Sequence, residues 1–196
     1  MKSNFVNKFF YGASKIIPLL DLSKLNKLIL ELKKLKSRKG RLFILGVGGS
    51  AGNASHAVND FRKICELQAY CPTDNVSELS ARTNDEGFQH IFSEWLKVSM
   101  LSSKDAILIF SVGGGNLKKN VSVNIINAIN FARKKQTKIF SIVGRDDGYA
   151  YKKSNISIQI PIYEDKLVTP YSESFQVLLW HCMVSDPRLQ KNKTKW

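Results

Sequence analysis

Apolar residues recur at helical spacing, with lysines between them, near the start of the chain. Five of them follow three- and four-residue steps: Leu25, Leu28, Ile29, Leu32 and Leu35. This period predicts an amphipathic helix over residues 23–37, which Gly40 ends. A second apolar set predicts a helix before it that stops near Pro18: Phe5, Phe9, Phe10 and Ile16. Two roles remain open for these helices, ordinary core packing and a surface between subunits.

From residue 41 onward the pattern changes to short, continuous apolar runs. These runs occupy residues 42–47, 106–110, 138–144 and 156–162. Runs of this length, separated by helical patterns, indicate buried parallel strands. The helical patterns lie at residues 51–66, 87–101, 121–135 and 170–184, and Thr169 is the expected N-cap of the last. Because strands and helices alternate, the sequence predicts an α/β fold with a doubly wound, mainly parallel sheet.

Composition is consistent with one folded domain over residues 1–196. The chain is 43% hydrophobic, which excludes global disorder and suffices for one packed core. No linker or repeat divides it, so we expect N-terminal helices in residues 1–40, the α/β core in residues 41–186 and a basic tail in residues 187–196. Three cysteines without a CxxC pair argue against a disulfide framework or a structural zinc finger.

The chain is strongly basic, with 30 Lys+Arg against 16 Asp+Glu and a formal charge of +14. Such a balance fits nucleic-acid binding, an anionic substrate or a lysine-rich surface. The basic clusters are not interleaved with aromatic residues, so we expect no nucleic-acid partner. No apolar stretch approaches the ~18–20 residues of a membrane span, and residues 1–18 do not resemble a signal peptide. We therefore expect a cytoplasmic protein with no membrane partner.

Two of the predicted strands run into turns rich in glycine and serine. Residues 46–50 read Gly-Val-Gly-Gly-Ser, and residues 111–116 read Ser-Val-Gly-Gly-Gly-Asn. Glycine allows close approach of the backbone to a ligand, and the helix that follows offers unpaired N–H groups. Neither turn is a Walker A loop, and the first is not a full GxGxxG fingerprint. The pair favours a phosphate ligand, although tight turns that serve only the chain path would look similar.

Four ionisable residues on two predicted helices could share a metal ion. His56 and Asp60 are four residues apart, on one face of the first helix of the core. Glu173 and His181 lie about 12 Å apart along the last helix, and an ion between them would be within reach of both. Two imidazoles and two carboxylates suit zinc or another divalent metal. A buried, satisfied histidine and solvated carboxylates would explain the same residues.

Together these motifs resemble the sugar isomerase (SIS) domain and, within it, the phosphoheptose isomerases. The matching segments are residues 46–50, 56–60, 83–88, 111–116, 143–148 and the last helix as far as His181. The resemblance covers residues 3–184. It implies a five-stranded, Rossmann-like sheet and a homotetramer with active sites between subunits. It also implies isomerisation of sedoheptulose 7-phosphate to a heptose 7-phosphate for surface polysaccharide, with zinc or another divalent metal as cofactor.

The resemblance also assigns site residues by position. The implied substrate contacts are Val47, Gly48, Gly49, Ser50, Asn84, Asp85, Ser111, Val112, Gly113, Ser122 and Glu173. The implied metal ligands are His56, Asp60, Glu173 and His181. Asp60 stands at the position of the catalytic base, and His181 at that of its partner acid. Among the substrate contacts, Ser122 and the turn of residues 111–116, which we call the serine turn, are expected to hold the phosphate. The residues of this turn that are expected to hold it are Ser111, Val112 and Gly113.

Several positions depart from the pattern of the family. It usually has Asn at position 47, Glu at position 60 and Gln at position 173, where this chain has Val47, Asp60 and Glu173. The segment 113–121 is also several residues longer. Because Asp is one methylene shorter than Glu, either Asp60 or Glu173 could be the base. A sugar-phosphate-binding SIS module without catalytic activity is the alternative function.

Overall fold

The computed structural model describes residues 4–194, so residues 1–3 and the last two residues of the expected tail lie outside the described part. The strands within it are β1 (Leu42–Leu45), β2 (Ala69–Tyr70), β3 (Ala106–Ser111), β4 (Lys138–Val143) and β5 (Ile156–Gln159). The helices are α1 (Phe5–Ile16), α2 (Leu22–Ser37), α3 (Gly49–Lys63), α4 (Val76–Asp85), α5 (Ile91–Val98), α6 (Val123–Lys134), α7 (Tyr149–Lys153) and α8 (Val168–Ser185).

The strands form one sheet in the order β2-β1-β3-β4-β5, and every neighbouring pair is parallel. This arrangement confirms the predicted doubly wound, parallel sheet of five strands. The chain moves outward from β1 to β2 and then crosses back to β3 on the other side of β1. A ligand crevice is expected at the carboxyl ends of β1 and β3, where the strand order reverses. Both glycine turns follow these two strands.

Two apolar cores cover the faces of the sheet. On one face, alternate strand residues such as Ile44 and Leu108 pack with α2, α3 and α8. On the other face, neighbours such as Leu45 and Ile109 pack with α5, α6 and α7. Successive side chains of a strand point to opposite faces, which is why a continuous apolar run serves both cores. No helix in residues 4–194 combines the length and apolar character needed to cross a bilayer.

The predicted element boundaries hold best where the apolar period is long. The helix predicted over residues 23–37 is α2, Leu22–Ser37, and the one predicted over 121–135 is α6, Val123–Lys134. The sequence pattern missed β2, which has only two residues, and the short α7. It also missed α4, which has no fully buried residue and packs only Leu79 against the core.

Three predicted boundaries are wrong. The helix predicted over residues 87–101 begins only at Ile91, because Gly87 has a φ of 86° and separates α4 from α5. The strand predicted over 156–162 ends at Gln159, close to Pro161, which has no N–H to donate. Thr169 is not an N-cap, since α8 already begins at Val168 and Leu167 occupies the cap position.

Gly46 and Gly52 provide a matched test of the first turn. A Cβ on Gly46 would collide with the backbone carbonyl of Ser50, whereas a Cβ on Gly52, inside α3, would have nothing within 4 Å. We expect Gly46→Ala to lower the free energy of unfolding by about 1–3 kcal/mol, because backbone must shift. Gly52→Ala should raise it by about 0.5–1 kcal/mol, because alanine favours a helix. Urea denaturation measures both values, and equal effects at the two positions would contradict the close packing of this turn.

Candidate functional site

The two helices that carry the ionisable residues, α3 and α8, lie side by side. Four contacts pair them in order along the chain: Gly49 with Glu173, Asn53 with Gln176, His56 with Trp180, and Asp60 with His181. Residue numbers rise together on both helices, so the helices are parallel. This packing brings together residues more than 120 positions apart in sequence, and its first contact, Gly49 with Glu173, lies at the crevice end of α3.

Three of the four predicted metal ligands meet between these helices. The Nε2 atom of His181 lies 3.7 Å from Oδ2 of Asp60, and the rings of His56 and His181 have centroids 5.6 Å apart. One ligand atom from each of the three residues lies within 4.8 Å of the others. Ligand atoms around a tetrahedral zinc ion would be about 3.5 Å apart, given zinc–ligand bonds of about 2.1 Å. Small side-chain adjustments would therefore let these residues hold a divalent ion.

The environment of His181 favours the neutral imidazole. Burial lowers the pKa of His181 below its usual value of 6.5, and nearby His56 lowers it further. The carboxylate of Asp60 and a hydrogen bond with the backbone of Val177 oppose this shift without reversing it. A neutral imidazole is the form that binds a metal ion or accepts a proton.

Trp180 orients both histidines. Its side chain is fully buried, and its ring centroid lies 3.6 Å from that of His181 and 4.7 Å from that of His56. The indole therefore contacts both imidazoles and restricts their rotation. The position of Trp180 beside His181 in the sequence did not reveal its contact with His56.

A buried polar network joins the first turns of α3 to α8. Ser50 Oγ and Asn53 Nδ2 both donate to Oε1 of Gln176, at 3.1 Å and 3.0 Å. Asn53 Nδ2 also donates to the backbone carbonyl of Glu173 at 2.9 Å. Ser50 and Gln176 are buried, so these bonds are shielded from water and hold the two helices in register. The sequence analysis missed Asn53 and Gln176; a polar residue such as Gln176 between apolar Phe175 and Leu179 was the available signal.

Glu173 lies apart from the histidines. A Cβ on Gly49 would collide with its carboxylate, so the carboxylate rests against the first residue of α3. Glu173 does not belong to the group of three within 4.8 Å that the described residues form. Its implied places in the metal set and in the substrate site are untested and stay predictions.

The serine turn after β3 is held open by its own backbone. The buried Ser111 accepts a hydrogen bond from Gly114 N at 3.0 Å through Oγ, which leaves its hydroxyl proton free for a ligand. Gly114 and Gly115 have φ angles of 69° and 88°, which favour glycine. The carbonyl of Val112 accepts from Gly144 N at 2.9 Å, which ties the turn to the end of β4.

Two other expected substrate contacts, Ser122 and Val47, lie in different environments. Ser122 precedes α6 with a φ of 50°, and its side chain makes no capping bond there, so its hydroxyl can face a ligand. The longer segment closes as a hairpin, in which Asn116 and Val121 exchange two backbone hydrogen bonds of 2.9 Å and 3.0 Å. Partly buried Val47, by contrast, packs against the core beneath α5 and α6.

Asn84 and Asp85 are placed at the end of α4, on the surface. Asn84 Nδ2 donates to Oδ1 of Asp85 at 2.7 Å. Within residues 4–194, no hydrogen bond or ion pair joins either side chain to the histidines or to the glycine turns. Their expected contact with sugar hydroxyls therefore stays a prediction.

Comparison with known proteins gives relatives with two kinds of name, a lincomycin biosynthesis protein and phosphoheptose isomerases. The lincomycin biosynthesis protein LmbN of Streptomyces lincolnensis is 31% identical over 135 residues, which cover 66% of this chain and 49% of that protein. The phosphoheptose isomerase of Buchnera aphidicola is 32% identical over 113 residues, which cover 57% of this chain and 55% of the isomerase. The chain thus spans about half the length of the curated relatives it matches. No protein-family model matches the sequence.

Solved structures share nearly the whole fold. The phosphoheptose isomerase of Neisseria gonorrhoeae superposes with a TM-score of 0.80 at 23% identity, over 91% of this chain and 95% of that one. The phosphoheptose isomerase of Francisella tularensis gives a TM-score of 0.81 at 19% identity, over 94% and 97% of the two chains. These likenesses establish the fold, and together with the relatives they confirm the resemblance to phosphoheptose isomerases.

Proposed function

Since the chain has the SIS fold and resembles phosphoheptose isomerases, we propose that it is an aldose–ketose isomerase of phosphorylated sugars. The proposed reaction converts sedoheptulose 7-phosphate to D-glycero-D-manno-heptose 7-phosphate for surface polysaccharide, in the cytoplasm. One observation carries the proposal: Asp60 and His181 lie 3.7 Å apart, the first on the helix that begins at the first phosphate-type turn and the second on the helix packed beside it. An acid–base pair and a phosphate anchor are what this chemistry requires.

The reaction moves one proton between C1 and C2 of the sugar through an enediol. Asp60 is the proposed base that removes the proton, with Glu173 as the alternative. His181, once it has taken up a proton, is the proposed acid at the sugar oxygen. The serine turn and Ser122 would anchor the distal phosphate. Binding energy from this remote group can position the reacting carbons, which contributes to the rate.

A divalent metal, zinc among the candidates, is the proposed cofactor. His56, Asp60 and His181 would hold it, with Glu173 as a proposed fourth ligand. Bound there, such an ion would polarise the sugar carbonyl. The donor set supports this, because two imidazoles and a carboxylate within 4.8 Å of one another suit zinc chemistry.

We further infer that the N-terminal helices pack between subunits of a homotetramer. The helix α1 is held to its own chain by Tyr171, whose hydroxyl donates to the carbonyl of Phe9 at 2.7 Å. Its outer side and the turn after it expose large apolar residues: Phe5, Phe10, Ile17, Leu19 and Leu22. An apolar patch of this kind favours association with another protein surface.

The first prediction concerns turnover. We expect Asp60→Asn and His181→Ala to reduce kcat for sedoheptulose 7-phosphate by about 10²-fold or more, because a positioned acid or base contributes ~10²–10⁴-fold. His90→Ala is the matched control, since His90 is exposed and lies outside the group of three. Product formation with the metal-replete protein measures the effect. Unchanged turnover in His181→Ala would exclude its role, and binding without turnover by the wild type would favour a sensor.

The second prediction concerns the metal. We expect the purified protein to bind Co²⁺ at one site per chain, with the visible absorption of a low-symmetry complex. His56→Ala and His181→Ala should each lose that absorption and weaken binding at least tenfold, while His90→Ala retains both. The readout is a Co²⁺ titration, with Zn²⁺ as competitor. Equal binding by all three variants would contradict the proposed ligands.

The third prediction concerns assembly. A charge at the exposed face of α1, introduced as Phe10→Glu, should shift the molar mass in solution from a tetramer towards smaller species, because a buried unpaired charge is costly. Light scattering coupled to size-exclusion chromatography measures this shift. Val98→Glu on α5 is the control, since Val98 is equally exposed, at 69% against 67% for Phe10. A tetramer that survives Phe10→Glu would contradict the proposed interface.

A further inference from the structure

Glu173 carries a charge at a position where the family usually has a neutral amide. Its carboxylate lies at the crevice, where a charge can affect which ligands bind. We propose that Glu173 determines specificity: its carboxylate makes the crevice accept phosphosugars whose reacting end is uncharged and reject those with a second acid there. This inference rests on the proposed function and adds the class of ligand that the site selects. It does not require Glu173 to act as the base.

The carboxylate has one defined position. Both of its oxygens and its carbon lie where a Cβ of Gly49 would be, so the group rests flat against the first residue of α3. Gly48 and Gly49 are exposed and Glu173 is half-buried, so the charge borders the open crevice rather than the core. Any side chain at position 49 would displace the carboxylate of Glu173. Glycine at this position therefore serves the contact with Glu173 as well as the turn.

The main chain of Glu173 is fixed to α3 as well. Its carbonyl accepts the hydrogen bond from Asn53, which in turn is held by the fully buried Gln176. A carboxylate beside the first turn of a helix is also favoured by the helix dipole. The negative charge is therefore held beside the first turn of α3, where an anion would otherwise be attracted.

The serine turn lies on the other side of the crevice. Leu45 of β1 pairs with Ile109 of β3, and neighbouring strands are about 4.8 Å apart, so the two turns are adjacent. The helix α8 reaches towards both turns. Its Glu173 packs against Gly49, and its Ser172 packs against Gly144, whose N–H donates to Val112 of the serine turn. A ligand phosphate would be attracted to the serine turn and repelled from the first turn of α3.

Substrate orientation follows from this asymmetry. A sugar monophosphate would bind with its phosphate at the serine turn and extend past Glu173, so that its carbonyl end points along α3 and α8 towards the histidines. A sugar acid phosphate or a bisphosphate would bring a second negative charge close to Glu173, and like charges repel strongly in a partly dry site. The neutral glutamine typical of the family would impose no such penalty.

Two sugar-derived phosphates test the proposed specificity: sorbitol 6-phosphate and 6-phosphogluconate. They share a phosphate and six carbons but differ at C1, which is an alcohol in one and a carboxylate in the other. Titration calorimetry at equal metal content should show that the wild type binds the alcohol at least tenfold more tightly. Glu173→Gln should reduce this preference at least tenfold, because the acid gains more affinity than the alcohol. The gain should shrink at high salt, because ions screen the repulsion.

Two further variants separate charge from shape and position. Glu173→Asp keeps the charge and should keep rejecting 6-phosphogluconate. Glu31→Gln removes an acid on α2 that pairs with Lys34 and should change neither affinity. If Glu173→Gln leaves the preference unchanged, or gains equally for both probes, the inference is wrong while the proposed function stands. If the wild type binds neither probe and does not turn over sedoheptulose 7-phosphate, both are wrong.

Discussion

The parallel packing of α3 against α8 is the constraint on which the candidate site depends. Ser50, Asn53 and Gln176 set the register of the two helices through buried hydrogen bonds, and breaking such bonds would leave polar atoms without partners. That register places Asp60 beside His181 at one end of the two helices and Glu173 beside Gly49 at the other end. The proposed catalytic pair and the proposed selective carboxylate are therefore held a fixed distance apart by the same helix packing.

The sheet supplies the other half of the site. Because β1 and β3 are adjacent and parallel, their following turns meet at one edge, and the reversal of strand order leaves a crevice between the helices that follow them. The serine turn offers a hydroxyl and backbone donors, whereas the first glycine turn is occupied by the carboxylate of Glu173. A crevice with one attractive and one repulsive end can orient a singly phosphorylated ligand.

The strong positive charge of the chain contributes little to the candidate site. Several lysines and arginines stand in the last turns of helices, as Lys134 does in α6 and Lys153 in α7, where they interact favourably with the helix dipole. Others form surface pairs, such as Lys34 with Glu31. Local structure therefore explains part of the charge without a polyanionic partner, and the chemistry of the site rests on a few residues near the crevice.

The sequence by itself determined the α/β class, the two glycine turns and the pairing of His56 with Asp60, because strand runs, turn residues and the i, i+4 spacing are local signals. It did not reveal α4, which has no fully buried residue, or the network of Asn53 and Gln176. Only the tertiary structure decided that His181 meets Asp60 and that Glu173 meets Gly49 instead of the histidines. Those contacts join residues more than 120 positions apart, and the packing of whole helices, rather than any neighbouring residue, sets their distance.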